Sequence, residues 1–219
     1  EDMLPALSNK TDFYKHYWNY YLSIERSFLA TEPYIAINQK NFNAFSVEFI
    51  KLYQIICSEV DVTAKCLCSV IGTPPSSNAG INKWKPLILA HFPEFSQQEI
   101  TVISYDISLK PWDSWLLESE RNPVWWTRYN KVKHDRTTLN SSSKTPYYEY
   151  ANQGNVLNAL GALFSIEMHI CREIALATDP LRDIIPDEQS KLFRMNGTEW
   201  KSDVVRGSEM CYTPISPHD

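Results

Sequence analysis

Residues 121–136 concentrate side chains that could hold a phosphate. This segment contains five Lys or Arg residues and one acid, so its formal charge is +4 in a chain whose net charge is −5, and all other residues together carry −9. A cationic segment on an acidic protein can bind a polyanion locally while the remaining surface discourages indiscriminate binding. The cations are Arg121, Arg128, Lys131, Lys133 and Arg136, and the acid is Asp135.

A histidine in the same segment is a candidate acid–base group. Pro123 predicts the start of a helix that reaches Arg136, and Asn130 and His134 share one face of that helix because they are four residues apart. Arg128 precedes His134 by six residues, about 120° around the helix, so the geometry permits their approach without requiring it. A base, an acid and a cation are sufficient for an RNA 2′-hydroxyl to attack its own phosphate without a metal.

A plainer interpretation of these residues stays open. A helix end rich in Lys and Arg is usually a solvated surface, and His134 could cap or stack without taking part in chemistry. Trp125 and Trp126 are more typical of core anchors than of platforms on which bases stack.

Three longer segments with helical periodicity must position the basic helix. Apolar residues recur at steps of three and four in residues 12–32, in residues 43–70 and from Tyr147 or Tyr148 to residue 177. Matched apolar stripes predict that the second and third helices pack side by side and bury Ile56 and Leu160. Asp61 and Lys65, four residues apart on another face of the second helix, predict a solvated ion pair.

The remaining segments predict additions to a helical bundle. Residues 72–111 are interpreted as an insertion with one strand, because residues 100–109 alternate and are rich in β-branched side chains. A short helix is predicted over residues 112–120. Residues 179–219 are interpreted as a mixed C-terminal extension that packs on the bundle or trails from it, in which Asn196 and Gly197 are a candidate hairpin turn.

Composition agrees with this division. Only 6 glycines against 13 prolines argue against a turn-rich all-β protein. The predicted fold class is all-α, an up-and-down helical bundle over residues 1–178 with a small β-containing insertion.

The cysteines and the apolar segments indicate the cellular location of the protein and whether it holds a metal. An odd count of five cysteines is typical of buried thiols rather than of a disulfide framework. Cys66 and Cys68 are expected about 200° apart on a helix, so they cannot hold one metal ion together, and neither a metal nor another cofactor is predicted. No signal peptide is evident and no apolar run approaches the roughly 20 residues that cross a bilayer. The prediction is a cytoplasmic protein without a membrane partner.

With its helices in place, the basic segment resembles a known family. Arg128 and His134 are separated by five residues in the context NPVWWTRYNKVKHDR, and the segment NVLNALGALFSIEMHI follows in the last helix. This arrangement is similar to the HEPN superfamily, small helical-bundle proteins common in bacterial toxin–antitoxin and phage-defence systems. The similarity covers roughly residues 12–71 and 112–177.

The resemblance implies a metal-independent endoribonuclease that acts as a homodimer, with two basic helices meeting across a cleft and Trp125 and Trp126 or the helix flanks offsetting their repulsion. The implied catalytic residues are His134 as base or acid, Arg128 as phosphate clamp and Asn130 to orient the imidazole. RNA-binding residues would be Tyr129, Lys131, Lys133 and Arg136. Arg136 could also replace Arg128 in the clamp. The family equally includes members that only bind, within a complex with an antitoxin or another defence protein.

Overall fold

A long central helix organises the protein. The computed structural model describes residues 7–116, 121–178 and 183–200, and in it α6 (Gln153–Thr178) is buried along almost its whole length. All faces of α6 are covered, because only Asn158, Arg172 and Glu173 between Gln153 and Ala175 escape full burial. A helix that is apolar on every side requires neighbours all around it.

The predicted packing of the second and third long helices is confirmed. α3 (Val47–Val70) runs beside α6, and Ile56 and Leu160 are both fully buried between their neighbours. Ser46 caps α3 by accepting a hydrogen bond from the backbone N–H of Phe49 at 3.1 Å. The helix therefore begins later than the sequence pattern predicted.

The N-terminal helix is confirmed with a change in its middle. It is α-helical over α1 (Lys10–Phe13), π-helical over Tyr14–Trp18 and α-helical again over α2 (Asn19–Leu29). Asn9 caps its start, because its side chain accepts a hydrogen bond from the backbone of Asp12 at 2.8 Å. A π-helical turn leaves no distinct mark on a three-to-four apolar repeat, so the pattern did not show it.

The insertion contains more structure than the single strand predicted. It begins with a helix, α4 (Ile81–His91), and residues 100–109 form a hairpin of β1 (Ile100–Val102) and β2 (Ile107–Leu109). One continuous strand was wrong because a turn over residues 103–106 interrupts it, with Ser104 at a positive φ of 67°. The alternation of side chains continues through a short turn of this kind and hides it.

Part of the C-terminal extension packs on the helices and the insertion. β3 (Phe193–Met195) pairs antiparallel with β1, so the sheet order is β2–β1–β3. Gly197 has a positive φ of 119°, but the turn leads into a short 3₁₀ helix at Thr198–Trp200 rather than into a hairpin. Glu25 holds this extension by accepting hydrogen bonds from Ser190 and from the backbone N–H of Lys191, the latter at 2.9 Å.

The basic helix is confirmed as α5 (Val124–His134), directly after Pro123. The helix predicted before it is only a 3₁₀ turn at Asp113–Trp115, and the predicted residues 117–120 lie outside the described residues. Trp125 and Trp126 are core anchors, exposed by 4% and 8%. They join Trp84, Trp112 and Trp115 in one aromatic cluster. A second copy therefore could not cover their rings. Of the two ways in which the predicted dimer could offset the repulsion between its basic helices, this leaves the helix flanks.

The fold class is mainly helical with one small antiparallel sheet. Asp61 and Lys65 pair at 2.6 Å, as predicted, but the pair is about three-quarters shielded from solvent and Asp61 also accepts a hydrogen bond from the Trp84 indole at 3.0 Å. Within residues 7–116, 121–178 and 183–200, no helix combines the length and apolar character that crossing a membrane requires.

Candidate nucleic-acid interface

The two faces of α5 have different roles. Trp125, Trp126, Tyr129 and Val132 are buried against the helices behind them, whereas Arg128 and Lys131 are exposed. Tyr53 donates its hydroxyl to the backbone oxygen of Trp125 and thereby fixes the start of α5 against α3. The residues of α5 are thus divided between buried aromatic anchors and exposed cations.

Two tyrosines lie opposite the two cations. Residues Tyr147–Tyr150 form a 3₁₀ helix that packs along α5. The Arg128 guanidinium lies 5.2 Å from the centre of the Tyr150 ring, and the Lys131 ammonium lies 5.3 Å from the centre of the Tyr147 ring. The two rings are 5.4 Å apart. The two cations are three residues apart on α5, and the two tyrosines are three residues apart on the 3₁₀ helix. On either helix type this spacing places the two side chains next to each other.

A hydrogen-bond network holds the Arg128 side of this arrangement. Arg128 donates to the side-chain oxygen of Asn155 at 3.2 Å, and the amide nitrogen of Asn155 donates to the backbone oxygen of Tyr150 at 2.8 Å. Asn155 is buried in the first turn of α6. Asn140 donates to the Tyr150 hydroxyl at 2.8 Å and accepts backbone hydrogen bonds from the loop that precedes the tyrosines. Arg128 and Tyr150 are therefore positioned before any ligand arrives.

These side chains surround an open cleft of about 520 Å³, which we call the cation–tyrosine cleft. Its walls are Arg121, Asn122, Val124, Thr127, Arg128, Lys131, Asn140, Tyr147 and Tyr150. Three of these residues are cations, and among the described lining residues there is no carboxylate. The nearest ion pair is weak, since Lys131 and Asp135 lie 3.5 Å apart and both are about half exposed. The cleft consequently presents positive charge beside flat aromatic faces.

The other residues predicted for the site lie elsewhere on α5. Tyr129 is 6% exposed and packs edge-on against Tyr53, so its ring offers little surface to RNA. Asn130 donates to the backbone oxygen of Trp126 at 3.0 Å, and no hydrogen bond in the described part joins it to His134. The ammonium of Lys133 lies 5.8 Å from the centre of the Tyr129 ring.

His134 and Arg136 follow at the C-terminal end of the helix. His134 is exposed as the last residue of α5, and in the described part of the chain it has no hydrogen bond or ion pair. Arg136 donates to the backbone oxygen of Val132 at 3.4 Å. Within one chain, then, Arg128 and Lys131 meet in the cleft while His134 does not line it.

Sequence reasoning missed the partners of the two cations. The sequence pattern placed the tyrosines of the cation–tyrosine cleft and Asn155 in the last long helix, which in the structure begins only at Gln153, and it assigned no role to Asn140. The matching three-residue spacing of the tyrosines and of the two cations is a signal in the sequence. Only the folded chain shows that the two spacings face each other.

A second cleft, which we call the His169 cleft, lies toward the other end of α6. It measures about 620 Å³ and is lined by His169 and Arg172, by Trp200, and by the carboxylates of Glu94, Glu99 and Glu199 among others. His169 is almost completely buried, and the rings of Phe92 and Trp200 lie 4.7 and 4.9 Å from its own.

Both ring nitrogens of His169 are occupied. The Ser165 carbonyl can only accept, so Nδ1 carries the proton and donates to it at 2.8 Å, and Nε2 accepts from the Gln98 amide at 2.8 Å. Burial lowers the pKa of His169 to about 4 despite the hydrogen bond to Ser165. The imidazole is neutral and engaged, which is the state of a structural histidine.

Two further groups have unusual environments, Glu167 on α6 and the cysteine pair on α3. Glu167 is fully buried on α6 with no hydrogen-bond partner in the described chain, and burial raises its pKa well above the usual value. Cys66 and Cys68 face different neighbours, since Cys68 contacts the backbone oxygen of Trp84 whereas Cys66 lies beside Tyr17. Over the described ranges, no three His, Cys, Asp or Glu side chains converge as metal ligands do.

Comparison of the chain with family models, with curated proteins and with solved structures found no match.

Proposed function

We propose that this chain is a HEPN-like helical-bundle protein that binds single-stranded RNA in the cation–tyrosine cleft. The observation that carries the proposal is the pair of parallel cation–tyrosine contacts, Arg128 with Tyr150 and Lys131 with Tyr147. Single-strand binders combine a positive groove for the backbone with aromatic rings for the bases. The cleft contains both elements, and no acid stands among its described walls.

Each component of the cleft has a defined task. Arg121, Arg128 and Lys131 neutralise phosphates, and guanidinium groups can do so with two hydrogen bonds each. The outer faces of the tyrosine rings and of the Arg128 guanidinium accept unpaired bases by stacking. Stacking requires bases that are not already paired, so a single strand fits this surface and a duplex does not.

RNA binding is tested by fluorescence anisotropy with a labelled single-stranded RNA at low salt. Tyr147→Ala should weaken binding about tenfold or more, because stacking contributes about 1–3 kcal/mol per base. Lys131→Ala should also weaken it and lower the dependence of binding on salt. Lys83→Ala is the matched control, because this exposed lysine on α4 lines neither cleft. Equal binding by wild type, Tyr147→Ala and Lys131→Ala would contradict the proposal, and so would a preference for duplex RNA.

A second candidate function is metal-independent cleavage of the bound RNA. The favouring observation is His134, an exposed imidazole that no described side chain engages, at the end of the helix that carries Arg128. Since His134 does not line the cleft of its own chain, the catalytic arrangement would be composite, with Arg128 from one copy and His134 from the other. A homodimer is therefore part of this candidate, as is a cytoplasmic antitoxin or defence partner that controls it.

Cleavage is tested with mixed RNAs in EDTA. His134→Ala should reduce the rate by about 10²–10⁴-fold, the usual effect of removing a general base, and the products should end in a 2′,3′-cyclic phosphate. His16→Ala is the matched control, since His16 is also exposed but lies on the N-terminal helix. If Arg136→Ala abolishes cleavage and Arg128→Ala does not, the clamp is Arg136. Toxicity on expression that persists in His134→Ala, together with a monomer in light scattering, would refute this candidate and leave RNA binding alone.

A further inference from the structure

A second groove adjoins the cation–tyrosine cleft. It measures about 340 Å³ and is formed where β2 ends, where α5 begins and where the first turns of α6 pass. Lys110 and Asp113 come from the insertion side, Asn158 comes from α6, and Phe42 comes from the segment before α3. We call it the Lys110 groove. Lys110 is exposed and has no carboxylate partner among the described residues.

The groove and the cleft share a wall. Val124 lines both of them and is itself 60% exposed. Its side chain is therefore the boundary between the two spaces on the protein surface. Behind Val124, the hydrogen bond from Arg128 to Asn155 joins a residue of the cleft to a residue of the groove. A ligand that leaves the tyrosines past Val124 therefore enters the Lys110 groove directly.

The groove has the chemistry to continue the same ligand. Lys110 supplies a positive charge for a phosphate. The amide nitrogen of Asn158 donates to the backbone oxygen of Gly154 at 2.8 Å, so its side-chain oxygen is free to accept a hydrogen bond from a base. Phe42 adds an apolar face. Asp113 is the single carboxylate among the groove's described walls, and its negative charge reduces the attraction of the groove for a phosphate.

We propose that the Lys110 groove is a second subsite for the same RNA strand, so that the protein binds an extended oligonucleotide rather than a nucleotide or dinucleotide. Each space has the size of a pocket for one small ligand, and filling both requires a strand that crosses Val124. The end of the β-hairpin insertion then has a role, because it delivers Lys110 to the RNA path. This inference rests on the proposed function.

The test measures affinity against RNA length, with single strands from a dinucleotide to about ten nucleotides. For wild type, affinity should rise steeply once the strand is long enough to pass Val124. Lys110→Ala should weaken binding of long strands about fivefold at low salt and reduce the log–log salt slope by about 0.7, the share of one phosphate on a single strand. It should leave short strands unchanged. Asp113→Asn should have the opposite effect on long strands, because it removes the opposing charge.

The outcomes separate this inference from the proposed function. Lys131→Ala should weaken strands of every length, since it acts in the cleft that all of them occupy, and Lys83→Ala should change none. If no length binds, the proposed function itself fails. If strands bind through Lys131 but Lys110→Ala and Asp113→Asn leave long strands unaffected, RNA binding stands and the second subsite is refuted.

Discussion

The cation–tyrosine cleft is tied to the start of α6 through Asn155, the His169 cleft lies toward the other end of that helix, and the two differ in how many hydrogen bonds their polar groups can still form. The His169 cleft is the larger, about 620 Å³ against 520 Å³, and it contains a buried histidine with a shifted pKa. Shifted pKa values often mark functional sites. Here, however, both nitrogens of His169 are bonded and three carboxylates line the cleft.

The smaller cleft is the better candidate because its charged groups are exposed and of one sign. Apart from their contacts with the tyrosine rings, Arg128 donates one hydrogen bond, to Asn155, and Lys131 makes one weak ion pair, with Asp135. Cleft volume and pKa shift both favour the other end of α6, yet neither measures whether a group can engage a ligand. The difference teaches that a candidate ligand site is better chosen by two properties of its side chains. These are the hydrogen bonds they can still form and the sign of their charge.

The largest expected effect concerns the wall of the His169 cleft. Glu25 accepts hydrogen bonds from Tyr21, Ser190 and the backbone of Lys191, which fasten the segment that continues to Trp200. Glu25→Ala should lower the free energy of unfolding by about 4 kcal/mol, because several buried donors lose their acceptor. Urea denaturation measures this loss.

The two clefts should respond differently to that variant. At a temperature where Glu25→Ala is still folded, its affinity for single-stranded RNA should equal that of wild type, since the cation–tyrosine cleft does not use residues 183–200. A parallel loss of RNA affinity would show that the two ends of α6 are coupled.

The next effect distinguishes His169 from a catalytic histidine. Its folded pKa of about 4 lies below the ordinary 6.5, so its stability contribution is present above pH 6.5 and is lost as the pH falls toward 4. The loss should be on the order of 3 kcal/mol. In His169→Gln, the decline of unfolding free energy between these pH values should be smaller than in wild type, as measured by urea denaturation across pH.

Glu167 provides the control of opposite sign. Its pKa is raised by burial, so its stability contribution is present below the ordinary carboxyl pKa and is lost as the pH rises. Glu167→Gln should therefore reduce the loss of unfolding free energy that accompanies a rise in pH above the ordinary carboxyl pKa, an effect opposite in sign to that of His169→Gln. RNA binding by His169→Gln at neutral pH should be unchanged, and a large loss would move the site to the other cleft.

A smaller effect is expected at Asn155, which holds Arg128 and the Tyr150 backbone beside the cation–tyrosine cleft. Asn155→Ala removes the acceptor of Arg128 and the donor to the Tyr150 backbone. It should cost about 2 kcal/mol of stability and weaken RNA binding, because Arg128 is no longer held. Asn130→Ala is the matched control for stability, since its amide bonds only to the backbone one turn earlier. Unchanged RNA affinity in Asn155→Ala would mean that the position of Arg128 is not important.

The smallest effect separates the Tyr150 ring from its hydroxyl. Tyr150→Phe removes the hydrogen bond from Asn140 and should cost about 1 kcal/mol at most, since the site is only half buried. RNA affinity should stay close to wild type because the ring remains, whereas Tyr150→Ala should lose it. Equal affinities for the two variants would remove stacking on Tyr150 from the proposal.

Much of the helical framework could be predicted from the sequence. Apolar periodicity located the N-terminal helix, α3 and α6, and Pro123 located the start of α5. The periodicity also predicted that Ile56 and Leu160 would be buried, because a helix in water must cover its apolar face. The boundaries were less certain. Asn9 and Ser46 set two of them through side-chain caps, and a cap depends on local backbone geometry that a periodic pattern does not record.

The sequence by itself determined that cations and aromatic residues would share one surface helix. Helical spacing is local, so the separation of Trp126 from Arg128 and Lys131 follows from residue order alone. Which residues meet those cations was decided only by tertiary structure. The return of Tyr147 and Tyr150 along α5, the burial of Asn155 beneath Arg128 and the distance of His134 from the cleft are contacts between separate segments. They depend on how the segments pack around α6, and no spacing within one helix can specify that.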